Sequence, residues 1–445
     1  MPRSAVGGAH AGGPLRNRGE PTMTDTTEPL VLDQEFFDDP DQLYRELRAE
    51  RPVTRAIGPN GVAFWMITRY ADARAALNDP RLAKDARRIP ELLARQESGP
   101  PARELAESLV GHMLNADPPD HTRLRKLVGR AFTMRAIGRL RPRIEQIATE
   151  LADAMTASGP EVDLLDTFAF PLPMTVICEI LGVPPDRREE FRTWSNTLLS
   201  AAGDSERGAA AAAMATYLSE LVEDKAAHPA DDMLSEIVRA SEDGDSLSPG
   251  ETTAMAFLLL VAGHETTVNL IGNGALALLR DPEQLALLRA DPDRVPAAVE
   301  EILRYDGPVN LATFRFTTEP VEYSGTTIPA DAFVLVSLLG ANRDPQRWPD
   351  ADRFDVERDP SGHLAFGFGI HHCVGAPLAR LEGEIAFRTL LARFPDLRLA
   401  GEPGPHRMST LIHGRTRLPV RLDAPAGAAT GPAATGASAT GPAAR

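Results

Sequence analysis

Cysteine, lysine and aromatic residues are scarce in this chain. Cys178 and Cys373 are the only cysteines in 445 residues, too few for a disulfide scaffold. Lys84, Lys126 and Lys225 are the only lysines among 47 basic residues, and 63 acidic residues bring the formal charge to −16. That balance excludes a general nucleic-acid binder and confines any basic docking site to a local patch. No run of 18 or more uncharged apolar residues occurs, and residues 1–23 lack the apolar centre of a signal peptide. The sequence therefore predicts a soluble, cytoplasmic protein with no membrane anchor.

The C-terminal tail also lacks any large apolar residue. Residues 1–23 are rich in Gly, Arg and Pro, and 424–445 repeat an ATGPAA-like unit. Both are expected to be disordered, leaving one folded unit at 24–423. Within it, apolar residues recur every three or four positions in QLYRELRAE, EQIATELADAMTA and VPAAVEEILRY, a helical period. Strand-like runs are fewer (FWMITR, VEYSGTTIPADAFVLVSLLGA, RLPVRL). The class is mainly α with small β-sheets.

One segment, SPGETTAMAFLLLVAGHETTVNLIGNGALALL, opens with Ser248, Pro249 and Glu251 in the order of a capping box. Residues 254–263 are apolar on every face, so this helix belongs in the interior. Polar GHETT at 263–267 interrupts it, and buried polar groups need partners. Thr266 can donate to the Ala262 carbonyl four residues back, and Gly263 leaves room for a close approach to the backbone. A satisfied polar knot between core helices fits the same residues.

Cys178 lies in apolar PMTVICEILGV, where it reads as a small buried hydrophobe. Cys373 lies in FGFGIHHCVG, among Gly367, Gly369 and Gly375 and beside His371 and His372. Those glycines allow tight turns, close approach of a flat ligand and backbone N–H groups aimed at sulfur, which suits a metal thiolate. Zinc is a rival, although three consecutive residues close a tetrahedron poorly and no second CxxC or HxxxH cluster exists. A catalytic nucleophile lacks an obvious base, and a plain structural cysteine is the remaining alternative.

FGFGIHHCVGAPLAR at 366–380 resembles the cysteine-ligand loop of the cytochrome P450 haem-thiolate monooxygenases, matching the spacing FGxGxHxCxGxxLAR throughout. The resemblance runs over essentially the whole folded region and is nearest to soluble bacterial members that tailor macrolides and other natural products. It implies the cytochrome P450 fold, with a long central helix over haem b, Cys373 as iron ligand and no bound flavin. Phe366, Gly367 and Gly375 would flank the cofactor on the cysteine side, and Ala262 and Gly263 on the other. AGHETT resembles the family's oxygen-activation motif, which assigns Thr266 and Glu265 to proton delivery; His264 and His372 receive no role. EEILR carries Glu301 and Arg304 of the E-x-x-R motif, with Arg353 in DRF closing their network. His121, Arg125, Arg315 and His371 would hold the haem propionates.

Four-residue spacing puts His121 and Arg125 on one helix face and leaves Arg123, Lys126 and Arg130 opposite, as a candidate dock for an electron donor. The resemblance implies a ferredoxin with its NAD(P)H-dependent reductase, O2, and a lipophilic small-molecule substrate. By the same analogy the substrate pocket is lined by the 86–113 segment, Leu260, Val261, Ala262, Val309, Leu311, Ala312, Leu411 and Ile412. Rival readings are a peroxide-driven peroxygenase and a non-catalytic haem-binding or ligand-binding protein.

Overall fold

The computed structural model describes residues 28–96, 107–199, 204–242 and 245–422. The terminal segments expected to be disordered, and residues 97–106 of the expected pocket segment, lie outside those ranges.

A six-stranded mixed sheet combines strands from both ends of the chain: β1 (Leu30–Val31), β2 (Val53–Ile57), β3 (Ala63–Ile67), β4 (Leu82–Ala83), β5 (Arg315–Thr317) and β6 (Phe333–Val336), in the order β1-β2-β3-β6-β5-β4. β6 is buried on both faces: Phe333 and Leu335 pack with Phe64, Met66 and Phe316, while Val334 and Val336 pack with Val53, Ile67 and Leu82. The alternation follows the two-residue period of a strand, so its continuous apolar sequence marks a strand covered on both sides.

The remaining bulk is helical. α1 (Asp120–Gly129), α2 (Arg141–Ser158), α3 (Pro171–Ile180), α4 (Arg188–Leu199), α5 (Asp204–Ala227), α6 (Pro249–Arg280), α7 (Val295–Asp306) and α8 (Ala376–Arg393) surround one large apolar core. α6 is the central helix, with 32 residues and a length of about 48 Å. Its capping box forms as the sequence predicts: the Glu251 N–H donates to Ser248 Oγ (3.2 Å) and the Ser248 N–H to the Glu251 carboxylate (2.8 Å). By length and composition α6 could cross a membrane, but 67% of its most apolar stretch is buried within the protein.

α7 buries Val295, Ala298, Val299 and Ile302, one stripe at helical spacing. It meets α6 and α8 at Gly274, where a Cβ would lie 2.5 Å from Phe387 and 2.8 Å from Ile302. Any larger residue there would push the three helices apart.

Candidate functional site

The cysteine loop turns twice through glycines with positive φ, 72° at Gly367 and 77° at Gly369. A Cβ on Gly369 would also lie 2.6 Å from Asn78 Oδ1. The Gly367 N–H donates to the Leu364 carbonyl (2.8 Å) and the Cys373 N–H to that of Phe366 (2.9 Å). The loop delivers Cys373 to the N-terminus of α8, where the N–H groups of Gly375 and Ala376 reach it. Cys373 keeps accessible surface although protein atoms crowd around it. Burial pushes its thiol pKa up, against the pull of the Gly375 N–H, Arg125, the Ala376 N–H and Arg380. A thiol that keeps its proton alone, yet is ringed by groups favouring the thiolate, suits a sulfur that ionises on binding a metal. Cys178 is fully buried, with its thiol pushed up to about 12 by burial, and is inert.

Beside the loop, the His121 and His371 rings stand 4.4 Å apart. Both ring nitrogens of His121, Nε2 of His371 and Nε of Arg315 are buried without a hydrogen-bond partner among the described residues. Folded proteins leave few polar atoms in that state, and several in one place call for an acidic ligand. The two carboxylates of haem fit this donor set. Burial, then the charges of Lys84 and Arg315, press the His371 pKa down to about 2. Arg125 reaches the same region and donates to the His372 carbonyl (2.7 Å). His372 thus contributes a backbone oxygen, and its ring lies 6.3 Å from that of Phe366. Among the described residues no group of three His, Cys, Asp or Glu side chains could hold a metal, so zinc finds no further ligands.

On the opposite side Ala262 is exposed although it sits midway along a buried helix, and Val261 and Thr266 are partly exposed. Leu258, one turn earlier on the same face, is partly exposed too. Thr266 donates to the Ala262 carbonyl (2.8 Å), the bond its spacing predicts. A Cβ on Gly263 would lie 3.1 Å from Ile177, so this glycine also lets α3 pack close against α6. His264 is fully buried, with Nδ1 2.8 Å from the Leu260 carbonyl and Nε2 3.0 Å from Ser195 Oγ, and so fastens α6 to α4.

Glu265 is 1% exposed, with Arg407 3.3 Å from one carboxylate oxygen and His264 3.7 Å from the other. Burial would raise its pKa, but His264 and Arg407 outweigh burial and hold it below the usual carboxylate value. Behind it Glu382 of α8 is also 1% exposed, and burial, only partly offset by Thr267, raises its pKa to about 8. This protonated carboxyl beside the motif was not foreseen, because nothing in RLEGEIAF separates a buried Glu from a solvated one. A raised carboxyl pKa means that the folded state binds the extra proton between the ordinary value near 4.5 and about 8. Its contribution is complete below that window and is lost as pH rises through it, by about 1.4 kcal/mol per pH unit. Glu382→Gln is expected to flatten this slope. Urea unfolding at pH 5.5 and 7.5 should show the variant gaining about 2–3 kcal/mol on wild type between the two.

The expected pocket residues divide. Leu260 and Leu311 are fully buried within apolar clusters, and Ile412 is 4% exposed. Val261, Ala262, Val309, Ala312 and Leu411 have accessible surface. The two loop segments are joined by the Asn310 N–H to Leu411 carbonyl bond (2.9 Å) and a bridge between Val309 and Ile412. Alternate residues therefore face opposite ways, as in any paired extended segment.

Glu301 and Arg304 are both fully buried. Arg304 donates from Nε (2.7 Å) and Nη2 (2.8 Å) to Glu301 and from Nη1 to the carbonyls of Asn342 (3.0 Å) and Ala351 (2.8 Å). Its fifth N–H reaches the carbonyl of Arg353 (3.2 Å). The expectation for Arg353 is corrected: its side chain is exposed and only its backbone joins the network. The second guanidinium beside Glu301 is that of Arg358 (3.4 Å). Of the candidate electron-donor dock, Lys126 and Arg130 are exposed and Arg123 is partly so. Arg123 is ion-paired to Glu251 and lies 3.6 Å from Asp245, so it ties α1 to the start of α6, and Lys126 and Arg130 are also engaged.

A profile of the family described as Cytochrome P450 matches residues 191–406. The chain is 51% identical to cytochrome P450 107B1 of Saccharopolyspora erythraea over 90% of this chain and 99% of that one. It is 45% identical to the 6-deoxyerythronolide B hydroxylase of the same organism over 89% of this chain and all of the relative. Among solved structures, that of the tirandamycin C-bound P450 monooxygenase TamI superposes with a TM-score of 0.82 at 48% identity, covering 89% of this chain and 100% of TamI. With a cysteine at the head of a helix, unpaired donors for two carboxylates and a long apolar helix opposite, the chain belongs to the cytochrome P450 family of haem-thiolate monooxygenases.

Proposed function

We propose that the protein hydroxylates a large lipophilic secondary metabolite, a macrolide or related polyketide, using electrons from a ferredoxin and its NAD(P)H-dependent reductase. What carries this is that the α6 and loop residues we read as the pocket wall, Leu258, Val261, Ala262, Val309, Ala312 and Leu411, are all apolar and keep accessible surface, with Thr266 partly exposed on the same helix. Such a surface recognises a ligand by apolar area rather than charge. The names of the relatives above, one a hydroxylase of 6-deoxyerythronolide B and one holding tirandamycin C, support the same class.

Bound haem supplies O2 activation, one oxygen atom entering a C–H bond and the other leaving as water. In this reading Cys373 holds the iron, and His121, Arg125, Arg315 and His371 hold the carboxylates. The apolar wall excludes water. Thr266 presents its hydroxyl at the reacting side, and Glu265 relays protons inward from solvent while Arg407, whose side chain is 29% exposed, holds its carboxylate.

The test is a titration of the purified holoenzyme with macrolactones, linear polyketides and a steroid, following the spin-state shift of the Soret band, then turnover with a surrogate ferredoxin and reductase. A shift and a mono-oxygenated product with a polyketide uphold the reading; a response confined to the steroid overturns the substrate class. Thr266→Ala is expected to keep haem and substrate binding while most reducing equivalents appear as hydrogen peroxide. Unchanged product formed per NAD(P)H consumed would remove Thr266 from proton delivery.

A further inference from the structure

Lys84 follows β4 and is 3% exposed. Lysine is almost never buried unless paired, yet among the described residues its ammonium has no carboxylate within ion-pair distance. Nζ donates to Thr313 Oγ1 (2.6 Å) and the Phe314 carbonyl (3.2 Å), both neutral. The nearby acid, Asp117, spends its two oxygens on the backbone N–H groups of Lys84 (3.1 and 2.9 Å) and Asp85 (3.0 Å).

The two acceptors of Lys84 immediately precede Arg315 at the start of β5, which pairs with β4 through Ala83 and Phe316. The charge of Lys84 is felt at His371, His121 and His112, and Arg315 acts on Lys84 in turn. This is the same neighbourhood in which Arg315, His121 and His371 hold unpartnered nitrogens. A cluster this rich in positive charge, with its one nearby acid already engaged, is incomplete without an anion.

We infer that Lys84 is a positioning and charge-setting residue of the cofactor-carboxylate site: clamped on Thr313 and the Phe314 carbonyl, it holds the strand end that aims Arg315 and adds positive charge to the cluster that takes the haem carboxylates. Burial first, then Arg315, lowers the Lys84 pKa well below the ordinary value, against the pull of Asp117. An arriving carboxylate reverses that balance, so cofactor binding and protonation of Lys84 are coupled. The role rests on the haem reading and extends it to a residue outside the sequence motifs.

The experiment uses the holoenzyme and compares Lys84→Gln, which keeps hydrogen-bond donors but not the charge, with Lys84→Met, which keeps neither. Two quantities are read: the rate of haem transfer to excess apomyoglobin and the midpoint reduction potential. Both variants are expected to lose haem about tenfold faster, as when a residue supporting a metal site is removed. Both should show a lower potential, because loss of a nearby positive charge favours the oxidised iron. Wild-type values in Lys84→Gln overturn the inference, even if Lys84→Met is impaired, since a hydrogen bond alone would then suffice. If Lys84→Met fails to fold, Lys84→Gln still decides. A retained thiolate band in the carbon-monoxide spectrum of Lys84→Gln separates failure of this inference from failure of the haem reading.

Discussion

Cys373→Ala is expected to abolish the red-shifted Soret band of the reduced carbon-monoxide complex, while Cys178→Ala leaves it intact. The two cysteines differ in surroundings, not in intrinsic chemistry. Cys178 packs against Met174 inside α3, with sulfur atoms 3.7 Å apart, and the charge of Arg188 falls far short of offsetting its burial. Cys373 has the Gly375 and Ala376 N–H groups, Arg125 and Arg380 around it. A thiolate ligand pushes electron density to the iron and favours O–O cleavage, so activity should fall by more than the roughly 10–100-fold typical of residues behind a metal ligand. A histidine at 373 should restore iron binding without the red shift. A red-shifted band in purified Cys373→Ala would withdraw the ligand assignment.

Arg304→Ala is expected to cost about 3–5 kcal/mol, the usual consequence of leaving one member of a buried ion pair alone. The estimate is anchored in geometry: all five N–H groups of Arg304 are used, two on Glu301 and three on the carbonyls of Asn342, Ala351 and Arg353. Arg304→Lys has three donors instead of a planar fork of five and should recover only part of the loss. The damage should spread to the cofactor, because Asn342 Oδ1 accepts from the Leu364 N–H (2.6 Å), two residues before Phe366. The ratio of Soret to protein absorbance after purification and the urea midpoint read both consequences. Wild-type values for both would make the pair a dispensable surface-like contact.

Phe366 itself illustrates support that no motif spelled out. Arg380 lies over its ring at 4.5 Å and is gripped at both ends by Glu300 (2.6 and 2.9 Å), which also meets His363 (3.0 Å). Burial would raise the Glu300 pKa, but His363 and Arg380 prevail and bring it to about 2. Glu300 precedes the motif glutamate, and in the sequence the two look alike. One serves the loop in front of the cysteine, the other a buried arginine.

What the sequence determined by itself was whatever depends on spacing along one element: the capped central helix, the Thr266 to Ala262 bond, the shared face of His121 and Arg125, and the loop around Cys373. These are short-range geometries, repeated every 3.6 residues or set by a glycine turn, and composition suffices to write them. Tertiary structure alone decided which side of each element met what. It placed Gly263 against Ile177, buried Leu260, Leu311 and Ile412, tied Arg123 to Glu251 and substituted the backbone of Arg353 for its side chain. It also brought Lys84, Glu300 and Glu382 to the site from segments whose local pattern is that of ordinary surface charge. Burial and partner charges set what an ionisable side chain does, and both come from residues distant in the chain, so no reading of neighbours in sequence could supply them.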